Sequence, residues 1–240
     1  MITLITYPAM GQSFSLSPFC CKAALMLDYA GVAWEREDTH DPRRLPYGKL
    51  PAIRTDTGQI IGDSDRIRLY LEQRGANFHL GLSDVQKAHS RALVRMAEEH
   101  MYFHLVLDRW EDPDVWKVIR ARYFEEIPFL VRNVVANGLR RNLLGGMKAQ
   151  GLGRLTAQER LERVEQDLTA VSDLLWQGPF LLGNTVSLAD FSVAPILNAM
   201  RQTPVETPLA LRVAGDPILM DYIDRVEEAA RPLEPERLSA

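Results

Sequence analysis

Cysteine is almost missing from this chain of 240 residues: Cys20 and Cys21 are its two, adjacent in sequence. Neighbouring cysteines rarely pair with each other, so no disulfide framework holds the fold. No apolar run approaches the ~20 residues of a membrane-spanning helix. No basic segment leading into an apolar stretch opens the chain, so a secretory signal is not expected and the chain reads as cytoplasmic. Residues 1–76 balance nine basic against nine acidic residues, and the rest carries the whole net charge of −4. That distribution lacks the basic footprint that nucleic acid or an anionic membrane demands. The phosphate-cradling order G-x-x-x-x-G-K-[ST] is absent as well. His100 and His104 share a helical face at a zinc-compatible spacing, but no third ligand accompanies them, so no metal is expected.

What is present is an ordinary globular composition, 46% hydrophobic and 25% charged, long enough for one large core or two modest ones. Residues 2–7 read as a strand and 18–31 as a helix stopped by Gly31. The alternation over 32–37 reads as a second strand, and 39–48 as irregular or a short helix. Residues 50–54 and 59–61 flank Asp56-Thr57-Gly58, a hairpin signal. Asp63-Ser64-Asp65 caps a helix that ends at Gly75. Everything later is helical, with helices expected near 84–110, 113–142, 156–177, 187–202 and 216–230. Pro128 should kink or divide the second of these. The glycine-rich stretch 145–153 should be a connection, and the Pro/Glu-rich end at 232–237 should fray. The fold class is therefore α/β plus all-α: a thioredoxin-like domain at 1–76, a linker at 77–84 and an all-helical domain at 85–240.

The chemistry concentrates at Ser17-Pro18-Phe19-Cys20, where a loop enters the first helix. Pro18 suits a first helical turn, where its missing N–H costs nothing. The unpaired amides of that turn, with the helix dipole, attract an anion. Thioredoxin-like redox proteins carry C-x-x-C here. In S-x-x-C the attacking sulfur is replaced by an oxygen, suited to stabilising a thiolate supplied by another molecule.

These stretches, with Ser15-Leu16-Ser17-Pro18-Phe19-Cys20-Cys21-Lys22, Lys49-Leu50-Pro51, Ile61-Gly62-Asp63-Ser64, Asp108-Arg109-Trp110, Gln150-Gly151-Leu152-Gly153-Arg154 and Gly178-Pro179-Phe180-Leu181-Leu182-Gly183, run in order along nearly the whole chain. With Ser187-Leu188-Ala189-Asp190 they resemble the cytosolic glutathione transferase superfamily, in particular its failed-axon-connections and metaxin-like branch. The resemblance implies glutathione as co-substrate, a small hydrophobic electrophile as acceptor, detoxification-type alkyl or aryl transfer, and a homodimer. It also implies an alternative, because several proteins of that branch act in assemblies rather than in conjugation. A second alternative is a glutathione-dependent thiol reductase working through Cys20.

Carried over residue by residue, the resemblance makes Ser17 the hydroxyl that stabilises the glutathione thiolate. Tyr7 competes, since some branches use a tyrosine at the end of the first strand, and Ser13 and Ser15 are lesser alternatives. Lys49, Leu50, Pro51, Asp63 and Ser64 become glutathione-binding. A cis bond at Pro51 would leave neighbouring backbone groups free to pair with a peptide ligand. Tyr102, Phe103 and His104 are expected to line the acceptor pocket, with Trp110 and Trp116 serving the core. Cys20 reads as a small buried residue or a mixed-disulfide cysteine, and Lys22 as a surface or cleft-edge charge. Arg132, Arg140, Arg141, Lys148 and Arg154 read as a solvated basic face. Ser187 with Asp190 makes a capping box, and Val186 against Phe191 a hydrophobic staple.

Overall fold

The apolar, β-branched run Ile2–Thr6 forms β1, buried along its whole length, so both of its faces are covered. The computed structural model describes residues 1–9 and 11–231. Strands β2 (Trp34–Asp38), β3 (Ala52–Arg54) and β4 (Ile60–Gly62) complete a four-stranded sheet in the order β2-β1-β3-β4. β2 lies parallel to β1, with Ile2 opposite Trp34; β3 runs antiparallel to β1, and β4 antiparallel to β3. The charged residues of β2 suit its edge position. Helix α1 (Pro18–Tyr29) makes the β1–β2 crossover, and α2 (Ser64–Gln73) follows β4.

Seven of the eight later helices begin on a residue with an evident local signal. Ser83 and Gln86 close a capping box on α3 (Asp84–Met96). A π turn, Ala97–Met101, passes the same rod into α4 (Tyr102–Glu111). Asp112 caps α5 (Pro113–Tyr123), and Thr156 caps α7 (Ala157–Leu175). Pro128 divides the expected second helix outright, standing immediately before α6 (Phe129–Gln150). Helix α8 (Leu188–Arg201) is buried from Leu188 through Met200 and forms the axis of the helical half. It touches the first half too: Tyr29 of α1 meets Phe191 at 5.2 Å between ring centroids. Helices α9 (Pro208–Ala214) and α10 (Pro217–Ala230) close the bundle.

Two expectations are corrected. The stretch 145–153 is not a connection throughout, because α6 runs through Gly145 and Gly146 to Gln150. Each glycine costs about 1 kcal/mol in a helix relative to alanine. Packing offsets this: Met147 is buried, with Leu143 and Leu144 against the same aromatic cluster. The chain turns only at Gly151, whose φ of 117° favours glycine. Helix α9 went unanticipated, although its signal is plain: Pro208 opens the first turn, and the Thr207 hydroxyl accepts from the Ala210 amide at 3.1 Å. The Pro/Glu-rich end at 232–237 lies outside the described residues.

The basic cluster is also not a freely solvated face. Arg132 donates to the carbonyls of Ile127 and Glu125, and Arg140 to those of Trp110 and Glu111. Arg154 donates to the carbonyl of Lys148. These guanidinium groups satisfy carbonyls left open at helix ends and turns.

Candidate active site

A cavity of about 550 Å³ separates the sheet layer from the helical half. Its sheet-side wall is built from the end of β1, the start of α1, and the turns before β3 and α2. Tyr7, Ser17, Lys49, Leu50, Pro51, Asp63 and Ser64 all border it. The other wall comes from the end of α3, the π turn, α4, α5 and α6; it combines the aromatic Tyr102, Phe103, Trp110 and Tyr123 with the charged Arg95, Glu98, Glu99 and Arg109.

Ser17 occupies the N-cap position of α1, yet its side chain makes no capping hydrogen bond. Its carbonyl accepts from the amides of Cys20 and Cys21, both at 3.1 Å, while the Phe19 amide has no partner among the described residues. A half-buried hydroxyl and an open helix N-terminus therefore face one cavity. The competing loop hydroxyls are spent internally. Ser13 donates to the Ser15 carbonyl at 3.0 Å, and Ser15 donates to the Tyr7 carbonyl at 2.9 Å. Both are buried. Tyr7 packs against Tyr123 at 5.5 Å, and burial raises its phenol above the ordinary range, so it stays protonated.

Leu50 and Pro51 are joined by a cis peptide bond. The Pro51 carbonyl is taken by the Asp63 amide at 3.1 Å, whereas Leu50 has no backbone hydrogen bond among the described residues. Asp63 holds φ at 77°, and its carboxylate accepts from the amides of Asp65 and Arg66. Tyr47, at φ 62°, also borders the cavity. Non-glycine residues held in the left-handed region cost of order 1–3 kcal/mol each and cluster at ligand sites.

Lys22 and His104 sit where the sequence reading did not put them, while Cys20 takes the buried one of its two expected roles. Cys20 is completely enclosed, and burial pushes its thiol upward, so it does not present the nucleophile a thiol reductase needs. Lys22 is not on the surface: it is 1% exposed and paired with Glu98 of the π turn at 2.6 Å. His104 faces away from the main cavity. It borders a separate void of about 60 Å³ with Asp108 and Arg160. Its Nε2 lies 3.4 Å from that of His100, whose Nδ1 meets Asp167 at 2.5 Å. Among the described residues, no group of three or more His, Cys, Asp or Glu is placed to hold a metal ion.

His104 has a measurable consequence. Burial, with His100, Arg160 and Arg163 nearby, pushes its imidazole down to about 3. An unfolded histidine titrates near 6.5, so below that pH the unfolded chain takes up a proton that the folded chain refuses. This contribution is present above pH 6.5 and is lost as pH falls toward 3, at up to ~1.4 kcal/mol per unit. Asp108, pushed up to about 6 by its own burial, acts in the opposite direction as the pH falls. Urea midpoints of His104→Gln and the parent, compared from neutral pH to pH 5, isolate the histidine. The variant is expected to show the shallower loss.

The sequence reading missed Arg109 and Tyr123 as cavity residues. Arg109 falls within a stretch already singled out, but nothing in the local pattern told which way it points.

Known proteins resemble this chain in both halves of its fold. Residues 18–115 match the model of the glutathione S-transferase N-terminal domain, and 155–225 that of the C-terminal domain. The chain is 32% identical over 243 aligned positions to the isoprene-epoxide–glutathione S-transferase of Rhodococcus sp. (strain AD45), covering 95% of this chain and 98% of that one. It is 26% identical to Failed axon connections of Drosophila melanogaster, covering 91% of this chain but 55% of the relative. Among solved structures, glutathione transferase GSTFuA3 from Phanerochaete chrysosporium superimposes with a TM-score of 0.64 at 18% identity, over 98% of both chains. Among the described residues no helix is long and apolar enough to cross a membrane. With both domain models matched in order, and a relative of this identity aligned over nearly its full length, the chain belongs to the glutathione S-transferase family.

Proposed function

We propose that the protein is a glutathione transferase in which the Ser17 hydroxyl stabilises the glutathione thiolate for attack on a small hydrophobic electrophile. The observation that carries this reading is Ser17 at the cavity's edge, its side chain not used to cap the open N-terminus of α1. In this reading the glutathione peptide lies along Leu50, Pro51, Asp63 and Ser64, with Lys49 at the rim. Leu50 offers unpaired backbone groups to its cysteinyl unit. Ser64, opening α2, offers its amide and hydroxyl to the γ-glutamyl carboxylate, and the Asp63 carboxylate meets the ammonium.

The acceptor enters against Tyr102, Phe103 and Trp110, an aromatic wall suited to apolar molecules. The name of the Rhodococcus relative supports an epoxide. The thiolate would then form a C–S bond as the C–O bond breaks, and the departing oxygen would keep the electron pair and take up a proton.

A hydrogen bond to a charged group is worth about 1.5–3 kcal/mol. Ser17→Ala is therefore expected to raise the bound thiol pKa by ~1–2 units and lower turnover about 10- to 100-fold. Glutathione affinity should stay within a few-fold, measured by calorimetry beside steady-state kinetics. Unchanged turnover would move the role to Tyr7.

The similarity to Failed axon connections favours a second reading, a non-catalytic binding protein. Calorimetric titration with glutathione and S-methylglutathione separates the two. No binding at millimolar concentration would favour the second.

A further inference from the structure

Arg109, in the middle of α4, is 4% exposed and borders the main cavity. Its side chain ties three parts of the fold together. Nη1 donates to the Leu16 carbonyl at 3.0 Å, and Nη2 donates to the Ala199 carbonyl in α8 at 2.6 Å. Among the described residues no carboxylate pairs with it, and its buried Nε has no partner at all. The neighbouring Asp108 carboxylate accepts instead from Thr207 at 2.9 Å. A guanidinium remains charged in a protein, and a buried charge without a counter-charge is costly. A fold that keeps such a cation beside an open cavity has a place for an anion. The Leu16 carbonyl belongs to the peptide unit that leads directly into Ser17, so the cation stands one peptide from the hydroxyl that opens α1.

We propose that Arg109 is the fixed positive charge of the thiolate site, and that the glutathione thiolate supplies its missing counter-charge. The proposal rests on the glutathione transferase reading above. Arg109 acts on the sulfur through space and by anchoring the Leu16–Ser17 peptide, so it is a positioning residue. The titratable groups around it are Tyr7, Tyr102, Tyr123, Asp108, Cys20 and Cys21. Burial raises the three phenols and both thiols, leaving them neutral near pH 7. Asp108 borders the separate void, accepts from Thr207 and attracts Arg109 from that side, and Lys22 pairs with Glu98. The cavity is also bordered by Lys49, Asp63, Asp65, Arg95 and Glu99, and among the described residues none of its carboxylates forms an ion pair with Arg109.

The test is the thiol pKa of bound glutathione, read from the ultraviolet absorbance of the thiolate across pH, in the parent, Arg109→Gln and Arg109→Lys. Gln retains an amide donor for the carbonyls, and Lys retains the charge. The Gln variant is expected to raise the bound thiol pKa by about one unit, with turnover near neutrality falling about tenfold. The Lys variant should stay close to the parent. Gln should also weaken glutathione at pH values where the sulfur is ionised, and leave S-methylglutathione, which cannot ionise, unaffected.

A low thiol pKa in the parent that persists unchanged in Arg109→Gln overturns this proposal and leaves the transferase reading standing. So does an effect confined to the KM of anionic acceptors. An ordinary thiol pKa in the parent overturns both. If Arg109→Gln does not fold, the Lys variant decides: a parent-like thiol pKa supports the charge, and a raised one overturns it.

Discussion

Asp190→Ala is expected to destabilise the protein by about 3–5 kcal/mol, the range for removing one partner from a buried charged network. The Asp190 side chain is completely buried, and both oxygens are doubly used. Oδ1 accepts from the Leu181 amide and the Tyr222 hydroxyl, each at 3.0 Å. Oδ2 accepts from the Ser187 amide and hydroxyl, each at 2.8 Å. Truncation strands two amides and two hydroxyls in the interior, each costing ~1 kcal/mol or more. The sequence alone suggested a capping role on a buried helix, worth ~1 kcal/mol or more; the Tyr222 and Leu181 contacts raise the figure. Urea unfolding measures it, with Asp190→Asn as the milder comparison. A loss below about 1 kcal/mol would reduce Asp190 to an ordinary cap. Because α8 packs on α1 as well as on its own bundle, the damage should reach both halves.

The second large effect concerns Lys22 and Glu98. Both are buried, 2.6 Å apart, and the Ser192 hydroxyl donates to the same Glu98 oxygen at 3.1 Å. The pair joins α1 to the π turn and so crosses between the halves. Lys22→Met alone leaves a buried carboxylate without its cation, at a cost of about 3–5 kcal/mol. Lys22→Met with Glu98→Gln removes both charges and should recover most of that loss, giving a coupling energy of ~2 kcal/mol or more. A double-mutant cycle by urea denaturation measures it, and strictly additive losses would show that the pair is not coupled. The π turn fits this role, since such turns often mark functional positions. Glu98 also borders the main cavity, so, under the proposed function, changes here should alter acceptor kinetics as well as stability.

The parts of this protein legible in sequence are those written in short-range chemistry. Pro18 and Gly31 bracket α1, Asp63 caps α2, and the alternation of β2 identifies a second strand. Ser17 could be placed at a helix entrance because the signal lies within four residues. The Leu50–Pro51 turn and the Ser187–Asp190 box were equally local. Where local signals compete, reading failed: the glycines at 145 and 146 suggested a break, and packing of Leu143, Leu144 and Met147 carried the helix through them.

Lys22, Cys20, His104 and Arg109 were decided elsewhere. Helical periodicity says which residues share a face, not which face meets the other half of the chain. Lys22 is buried because Glu98 waits 76 residues away, and Arg109 reaches a carbonyl 93 residues earlier. Ser17 was likewise only a serine before a helix until the fold spent the hydroxyls of Ser13 and Ser15 on the loop and left its own facing the cavity. By itself the sequence determined the order of most elements, the two-part architecture and the residues at most helix entrances, since these depend on neighbours a few positions apart. Tertiary structure alone decided which side chains meet across the cleft and which charges lack partners, because those depend on contacts between segments that sequence spacing does not encode.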